Sequence, residues 1–339
     1  MATRRGQKLS SVSFIGQSIS CPLCTSENLV CVGQTDRHGT PLKTDLCRNC
    51  GHVFTNPQPT TAELNAFYSD KYRSAYKGVV SPKPKHVYRA GLRALERLDR
   101  ILPYAQPARR VLDIGSGGGE FAYLMTRAGF QAKGIEPNRG YADFSKTSYG
   151  IDVDVGTVED VLQSDATWDV ITLHHVLEHL ADPVSVLHSL GQRLSESGVL
   201  IVEVPNVEAR YHGPQRLFHL AHLHNFSHTG LLFAGSLAGL AAKDLDILPG
   251  TGHLNVVFEK SAQPPNKPNP DRAAEIERHF TTNTRLRDAF SARPFRRLWA
   301  NLKRPIREAT ALRYLGNPDS ARDILDRMYG PALLMRVNP

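Results

Sequence analysis

The sequence predicts an α/β protein: a doubly wound, mostly parallel, seven-stranded sheet of the Rossmann-like kind, with an N-terminal cysteine-rich ribbon and a C-terminal helical extension. Three observations predict this fold. Short apolar runs alternate with amphipathic stretches over residues 109–260, as they do where helices join parallel strands. Two Cys-x-x-Cys pairs precede that region. A Pro-rich linker at 261–270 follows the α/β region, and its prolines permit neither helix nor strand. Helical periodicity resumes after it, in residues 271–339.

The strands and helices of the α/β region follow from local patterns. The short apolar runs predict strands at 110–115, 131–136, 152–156, 168–174 and 198–206. Two further runs are expected to close the sheet as an antiparallel pair, at 245–248 and 254–260. Helical periodicity covers residues 119–129, 141–150 and 183–196. Asp182 is the expected N-cap of the last helix, because Pro183 follows it at the first helical position.

Composition divides the rest of the chain. Residues 1–20 are polar and are expected to form a flexible N-terminus, and residues 21–60 hold the cysteine pairs. Residues 61–108 are expected to form a helical connector and a flap over a bound cofactor. Of the 339 residues, 41% are hydrophobic and 22% are charged, which is ordinary for a globular protein and argues against wholesale disorder.

The net charge of +8 is unevenly distributed. Residues 1–261 carry 26 Lys and Arg against 25 Asp and Glu, whereas residues 262–339 carry 15 against 8. The basic character therefore belongs to the C-terminal extension. The first residues lack the apolar core of a secretion signal, and paired cysteines of this kind suit a reducing compartment. We therefore expect a cytoplasmic protein.

The four paired cysteines predict a structural zinc site. Cys21 and Cys24 form one pair, and Cys47 and Cys50 form the other, with 22 residues between the pairs. Two residues between thiolates allow both sulfurs of one turn to reach a single tetrahedral Zn²⁺. Four thiolates leave no open coordination position, so the ribbon is expected either to staple a small region or to contact the substrate, but not to catalyse.

A glycine-rich turn after the first predicted strand indicates a nucleoside cofactor. The turn runs from Gly115 through Ser116 and Gly117 to Glu120, where a helix begins. Residues without side chains allow backbone N–H groups at a helix N-terminus to approach a ligand closely. Glu136 follows Gly117 by 19 residues, at the end of the second strand, where it can accept the ribose hydroxyls. Glu120 stands where a dinucleotide fingerprint requires glycine or alanine, and Asp113 suits a ligand that carries a cation.

These residues resemble motif I of the class I S-adenosylmethionine-dependent methyltransferases. The resemblance implies that S-adenosylmethionine lies with its methionine part against Asp113 and the glycine turn. It also implies that the ribose lies at Glu136 and the adjacent Pro137. The adenine is implied to lie at Val158 and Glu159, which follow the third strand. Leu173 and His174, at the end of the fourth strand, are expected to face the cofactor.

Other phrases are similar to a zinc-ribbon subset of that family, which includes sugar C- and O-methyltransferases of biosynthetic clusters. They are VLEHL with a following DP, the VPN that ends at Asn206, and FTNPQPTTAELNAFYSDKY at 54–72. The resemblance covers residues 20–260. Tyr68, Tyr72 and Tyr76 form a helical stripe, which either packs on the sheet or closes over the cofactor, and Tyr72 is expected to contact the cofactor.

Histidines are the candidate catalytic groups, because an acceptor hydroxyl requires a general base with a suitable pKa. His222 aligns with the second, catalytic histidine of the HEHxxYFS phrase of the sugar C-methyltransferases. Leu220, Ala221 and Asn225 replace other residues of that phrase, which argues against C-methylation and favours base-assisted O-methylation. His175, at the end of the fourth strand, is the second candidate. The expected acceptor is a small or glycan-linked molecule, with an O-methylated sugar as the preferred product.

The sequence is compatible with several partners of the basic extension and with several functions of the protein. Arg and Lys residues flank Phe295 and Trp299, a pattern that fits a solvated helix face, an anionic membrane surface or a phosphorylated ligand. Nucleic acid is less expected, because residues 1–261 are nearly neutral. The alternatives to a small-molecule methyltransferase are a zinc-ribbon RNA methyltransferase and a non-catalytic scaffold with the same fold. A nicotinamide oxidoreductase is disfavoured by Glu120.

Overall fold

The computed structural model describes residues 15–60, 62–63, 82–209, 217–282 and 293–336. Eleven strands lie in these ranges: β1 Leu29–Thr35, β2 Pro41–Cys47, β3 Val53–Thr55, β4 Arg110–Ile114, β5 Gln131–Glu136, β6 Val153–Val155, β7 Trp168–His174, β8 Leu194–Val204, β9 His224–Asn225, β10 Leu240–Ile247 and β11 Leu254–Lys260. The helices of the same ranges are α1 Pro84–Ile101, α2 Glu120–Arg127, α3 Arg139–Tyr149, α4 Val158–Leu162, α5 Pro183–Gln192, α6 His228–Leu237, α7 Pro270–Thr282, α8 Arg293–Tyr314 and α9 Ala321–Arg336, with a 3₁₀ turn at Leu177–His179. None of these helices is long and apolar enough to cross a bilayer.

The α/β region contains one seven-stranded sheet, with strand order β10-β11-β8-β7-β4-β5-β6. Strands β4 to β8 are parallel, and β11 and β10 close one edge as the expected antiparallel pair. Strand β10 begins at Leu240, five residues before the predicted run at 245–248, because its first residues also pair with β11. The predicted Rossmann-like fold class is confirmed. The chain first runs from β4 to β5 and β6 and then returns to the other side of β4 at β7. Ligands of such sheets bind at this reversal, beyond the carboxyl ends of the strands.

The largest difference from a predicted helix boundary is at the C-terminus of α5. The helix that begins after Asp182 ends at Gln192 and not at residue 196. The N-cap prediction is confirmed, because the Asp182 side chain accepts the backbone N–H of Ser185. Leu194 instead pairs with Trp168 of β7 and is buried, so sheet pairing outweighs the helical pattern of this short stretch.

Helices cover both faces of the sheet and create two apolar clusters. On one face, residues of α5 and α6 pack with the ribbon, around Phe54, Phe226 and Phe258. On the other face, α1, α2 and α9 pack together. Tyr329 of α9 is fully buried there, and its hydroxyl donates to the carbonyl oxygen of Glu120. The last helix of the extension therefore belongs to the core of the α/β domain.

The ribbon forms a second, antiparallel sheet, with order β1-β2-β3-β9. Its edge strand β9 comes from the segment that follows β8, and Val53 and Phe54 of β3 pair with it. Helix α7, beyond the Pro-rich linker, packs on the other side of the ribbon, where Ile276 lies in an apolar cluster with Leu46. The ribbon is thus attached to the α/β domain by main-chain pairing.

Candidate active site

The glycine loop between β4 and α2 has the backbone that its residues permit. Gly115, Gly117 and Gly119 have φ angles of 71°, 56° and 82°, which residues with side chains rarely adopt. A Cβ built on Gly117 would meet no atom within 4 Å, so open space lies directly over the loop. The Oγ of the buried Ser116 has no hydrogen-bond partner among the described residues. The loop therefore presents a cradle at the helix N-terminus, beside the reversal of the sheet.

Glu136 lies beside this cradle and is held by two main-chain donors. Its carboxylate accepts the N–H of Gly117 at 2.8 Å and the N–H of Asn138 at 2.9 Å. The side chain is buried, and burial raises the pKa of Glu136 above its usual value, with the two N–H groups acting in the opposite direction. Each carboxylate oxygen retains a lone pair. The group can therefore accept hydroxyl protons from a ligand over the loop.

Asp113, at the end of β4, contributes a second buried carboxylate. It accepts a hydrogen bond from the Thr172 hydroxyl at 2.7 Å and lies 3.3 Å from Nδ1 of His174. Burial is the main cause that lowers the pKa of His174, followed by the charge of Arg97. The His174 imidazole is therefore neutral at neutral pH. The ends of β4 and β7 thus place one negative charge and one neutral donor at the reversal of the sheet.

His175 lies in an ion-pair network and carries a proton. Its Nε2 donates to Glu203 at 3.0 Å, and its Nδ1 lies 3.3 Å from Glu178. Burial lowers the pKa of His175, but the two carboxylates outweigh burial and raise it to about 9. Arg97 also binds both oxygens of Glu203, and His253 lies 3.8 Å from it. A protonated imidazole cannot accept a proton, so this geometry favours a positioning role for His175.

His222 lies near the carboxyl end of β7, in contact with the 3₁₀ turn. Its ring packs edge-on against His179 with centroids 4.9 Å apart, and the neighbouring N–H of Leu223 donates to the carbonyl oxygen of Glu178. Burial lowers the pKa of His222 to about 3, so the imidazole is neutral. Glu178 is buried, and its Oε2 has no hydrogen-bond partner among the described residues. A neutral base and a carboxylate with one unpaired oxygen therefore lie together.

The same carboxylate and two imidazoles form a possible set of metal ligands. One ligand atom each of Glu178, His179 and His222 lies within 4.8 Å of the others. Nδ1 of His179 lies 2.8 Å from the carbonyl oxygen of Ala221. Because a carbonyl oxygen only accepts, Nδ1 carries the hydrogen, and Nε2 of His179 keeps a lone pair. A cation at this position would use the lone pair of His222. The set can therefore serve either proton transfer or metal binding.

The four cysteines of the ribbon converge as predicted. Their sulfur atoms all lie within 4.8 Å of one another, with 3.5 Å between Cys21 and Cys50 and 3.5 Å between Cys24 and Cys47. Three of the four residues are buried. Cys31 is exposed and lies outside the cluster. Four converging sulfurs are the donor set that tetrahedral Zn²⁺ prefers.

Strand β3 of the ribbon holds the segment that carries His222. The N–H of Thr55 donates to the carbonyl oxygen of Leu223, and the Thr55 hydroxyl donates to the carbonyl oxygen of His222, both at 2.9 Å. In the same region, Nε2 of His52 lies 3.0 Å from Nδ1 of His224. The ribbon therefore positions the main chain around His222.

The other predicted contacts lie around the same sheet edge. Pro137 is exposed next to Glu136, and Val158 and Glu159 begin α4 after β6, with Val158 buried and Glu159 exposed. The Leu173 side chain is fully buried in the apolar core. Tyr72, together with Tyr68 and Tyr76, lies outside the described residues. All these assignments remain predictions.

Sequence reasoning overlooked three charged groups of the site: Arg97, Glu178 and Glu203. Glu203 is the one acid in the apolar run 199–204, and Glu178 lies within the VLEHL phrase. A carboxylate in an apolar strand is costly unless it has partners, which is a signal that could have identified Glu203. Its partner Arg97 lies 106 residues away, in α1, and no local pattern indicates that pairing.

Comparisons with known proteins find similarity to methyltransferases over part of the chain. A family model described as a methyltransferase domain matches residues 86–244. The ubiquinone biosynthesis O-methyltransferase of Xanthomonas campestris pv. campestris (strain B100) is 27% identical over 162 residues, which are 44% of this chain and 66% of that protein. The protein of the same name from Actinobacillus pleuropneumoniae serotype 5b (strain L20) is 35% identical over 124 residues, which are 32% of this chain and 52% of that protein.

Among solved structures, the chain is similar to the 1,6-didemethyltoxoflavin-N1-methyltransferase of Burkholderia thailandensis with bound 1,6-didemethyltoxoflavin and S-adenosylhomocysteine. The TM-score is 0.44 and the identity 17%, over 62% of this chain and 96% of that one. The chain spans about half to two thirds of the length of the two curated relatives. The residues matched by the family model contain the glycine loop, Glu136 and the ends of β4 and β7. Residues 86–244 therefore resemble a methyltransferase domain, and this stretch contains the candidate site.

Proposed function

We propose that this protein transfers a methyl group from S-adenosylmethionine to a hydroxyl oxygen of a small biosynthetic acceptor, with a sugar as the preferred class. The observation that carries the proposal is the Glu136 carboxylate, fixed by two main-chain N–H groups beside the open space over Gly117. When bound, S-adenosylmethionine supplies an activated methyl group on a positively charged sulfur.

The residues around the loop fit that cofactor. Glu136 would accept the ribose hydroxyls, and Val158 and Glu159 would lie at the adenine, because β6 neighbours β5 in the sheet. Asp113 would provide negative charge near the methionine part. The buried Ser116 hydroxyl, which has no partner among the described residues, is a further donor for it. Methyl transfer is an in-line displacement at the methyl carbon. These residues therefore chiefly orient the cofactor and exclude water.

We assign proton acceptance to His222, with Glu178 as its supporting carboxylate. A neutral imidazole has the free lone pair that a base needs, although burial weakens it. The negative charge of Glu178 opposes that effect of burial and would stabilise the imidazolium that forms on proton transfer. In this scheme His175 is a charged positioning residue, because Glu178 and Glu203 hold its proton.

The choice of acceptor rests on resemblance. The two curated relatives are named O-methyltransferases, which supports oxygen as the atom that is methylated. A sugar is preferred because the segment of His222 is similar to a phrase of sugar methyltransferases. We also assign Zn²⁺ to Cys21, Cys24, Cys47 and Cys50, where it would hold the ribbon closed.

Transfer of a labelled methyl group to a panel of nucleotide sugars and phenolic acceptors tests the proposal. We expect a product with at least one hydroxylated acceptor. His222→Gln is expected to lower kcat by about 10²- to 10⁴-fold, the usual contribution of a general base. His219→Gln is the matched control, because that neighbouring histidine is also half-buried and uncharged and has no assigned role. Equal losses in the two variants would contradict the assignment of His222.

Chelation separates proton acceptance from metal binding at His222. We expect turnover to persist after a chelator has removed weakly bound cations, with the zinc content of the ribbon checked by elemental analysis. If turnover is lost with the ribbon zinc intact and a divalent cation restores it, then Glu178, His179 and His222 hold a metal and the base assignment is wrong. Transfer to RNA and to no small acceptor would instead favour the RNA methyltransferase alternative.

A further inference from the structure

Helix α8 is attached to the protein through its C-terminal half. Glu308 is buried and forms a two-point ion pair with Arg89 of α1, in which Nη2 and Oε2 are 2.7 Å apart. Leu312 and Leu315 pack against the apolar cluster around α1. These contacts fix the orientation of the helix.

The N-terminal half of the same helix carries an unburied apolar stripe. The five large apolar side chains of this half recur at helical spacing, so they occupy one face. Their exposed fractions are 69% for Phe295, 58% for Leu298, 53% for Trp299, 59% for Leu302 and 69% for Ile306. Isolated exposed apolar residues are ordinary, but a continuous stripe of five marks a surface that binds something apolar.

The charge of this half is strongly positive. Residues 293–307 contain six Lys and Arg and no Asp or Glu. Lys303, Arg304 and Arg307 are exposed, and the Lys303 ammonium lies 4.5 Å from the centre of the Trp299 ring. At 100° per residue, these three side chains lie beside and opposite the apolar stripe. The half-helix therefore has an apolar face, a basic face and no acidic residue.

We propose that residues 293–307 form a membrane-surface anchor that lies in the headgroup region of an anionic bilayer. The apolar stripe would be buried at the acyl boundary, and the exposed Lys303, Arg304 and Arg307 would meet the lipid phosphates and carboxylates. The positive charge of the half-helix and the negative charge of the lipid headgroups are complementary, which favours a bilayer as the partner. A second copy of the chain would bring the same positive charge to the contact, and a nucleic acid would leave the apolar stripe in water. This binding does not depend on methyl transfer.

The two tryptophans of the chain make the proposal directly measurable. Trp168 is buried in the core, whereas Trp299 lies in the exposed stripe. We expect the fluorescence of the full-length protein to shift to shorter wavelength when vesicles containing phosphatidylglycerol are added. Vesicles of phosphatidylcholine alone should produce a far smaller shift. The Trp168→Phe variant should keep the shift, and the Trp299→Phe variant should lose it.

Vesicle flotation provides the second readout. The triple variant Lys303→Gln, Arg304→Gln, Arg307→Gln is expected to bind about 100-fold more weakly, because each basic residue contributes about fivefold. The triple variant Lys146→Gln, Lys243→Gln, Lys267→Gln removes the same charge from exposed sites elsewhere and should bind like the wild type. An unchanged Trp299 spectrum without flotation would overturn the proposal. So would an equal loss in both triple variants, or a dimer that buries Trp299 in the absence of lipid.

Discussion

Glu120 shows how a single side chain couples the glycine loop to stability. It opens α2, and burial raises the pKa of its carboxyl to about 7. The charged and titratable groups around it are Arg97 of α1, Asp113 of β4, Tyr149 of α3 and Tyr329 of α9. Of these, only Arg97 favours the ionised form. The folded protein therefore holds a proton on Glu120 that the unfolded chain releases at lower pH.

This difference predicts a pH-dependent stability. Because the folded pKa lies above the usual value of 4.5, the free energy of unfolding should fall as the pH rises from about 4.5 to about 7. Glu120→Gln keeps the neutral shape, so we expect it to stabilise the protein by about 2 kcal/mol near pH 8 and by little near pH 5. The partial exposure of Glu120 reduces the effect below the full shift. Denaturant unfolding at both pH values measures it.

The exposed Glu196→Gln variant is the matched control for that experiment, because its carboxylate is solvated in both states. It should show the stability profile of the wild type at both pH values. If Glu120→Gln and the wild type lose the same stability between the two pH values, the raised pKa of Glu120 is refuted.

At the scale of elements, the ribbon acts as the support of the candidate catalytic segment. Thr55 of β3 binds the main chain at His222 and Leu223, and β3 pairs with β9. A ribbon held closed by a metal would therefore fix both its own strands and the segment that follows β8. The cysteine cluster and the candidate base thus belong to one structural unit, although 172 residues separate His52 from His224.

Loss of the metal should therefore reduce turnover more than cofactor binding. Cys47→Ser together with Cys50→Ser is expected to abolish the bound zinc and to destabilise the ribbon by several kcal/mol. Because His222 depends on β3, we expect methyl transfer to fall by at least about tenfold while S-adenosylmethionine still binds to the loop. Elemental analysis, calorimetry and turnover measure the three effects.

Cys31→Ser is the matched control, since this exposed thiol lies outside the cluster. It should retain the zinc and the turnover of the wild type. A double variant without zinc that keeps full turnover would show that the ribbon does not position the candidate base.

The sheet could be predicted from the sequence because its strands are continuous apolar runs, which a parallel sheet buried on both faces requires. The cysteines were predictable because metal ligands have fixed spacing. The end of α5 was not, because Leu194 joins β8 through pairing with Trp168, a contact that no local pattern records. Likewise, the burial of Tyr329 and the pairing of β3 with β9 depend on contacts between distant parts of the chain.

On the scale of the whole molecule, the C-terminal extension has three different relations to the rest of the protein. Helix α7 packs on the ribbon, α9 packs in the core of the α/β domain, and α8 leaves an apolar stripe exposed. The Pro-rich linker predicts a C-terminal extension that is separate from the rest of the protein. In the structure, α7 packs on the ribbon sheet and α9 packs against the seven-stranded sheet instead. The exposed half of α8 is thus held in a fixed position relative to the glycine loop.

The central claim is that the cradle over Gly117 binds S-adenosylmethionine through Glu136, and calorimetric titration tests it most directly. We expect the zinc-loaded protein to bind S-adenosylmethionine with micromolar affinity and to show no binding of NADH. Glu136→Ala should weaken binding by at least about tenfold, because charge-assisted hydrogen bonds to the ribose are lost. Glu196→Gln should leave it unchanged. Folded, zinc-loaded protein that binds no S-adenosylmethionine, or binds it equally well without Glu136, would contradict the account.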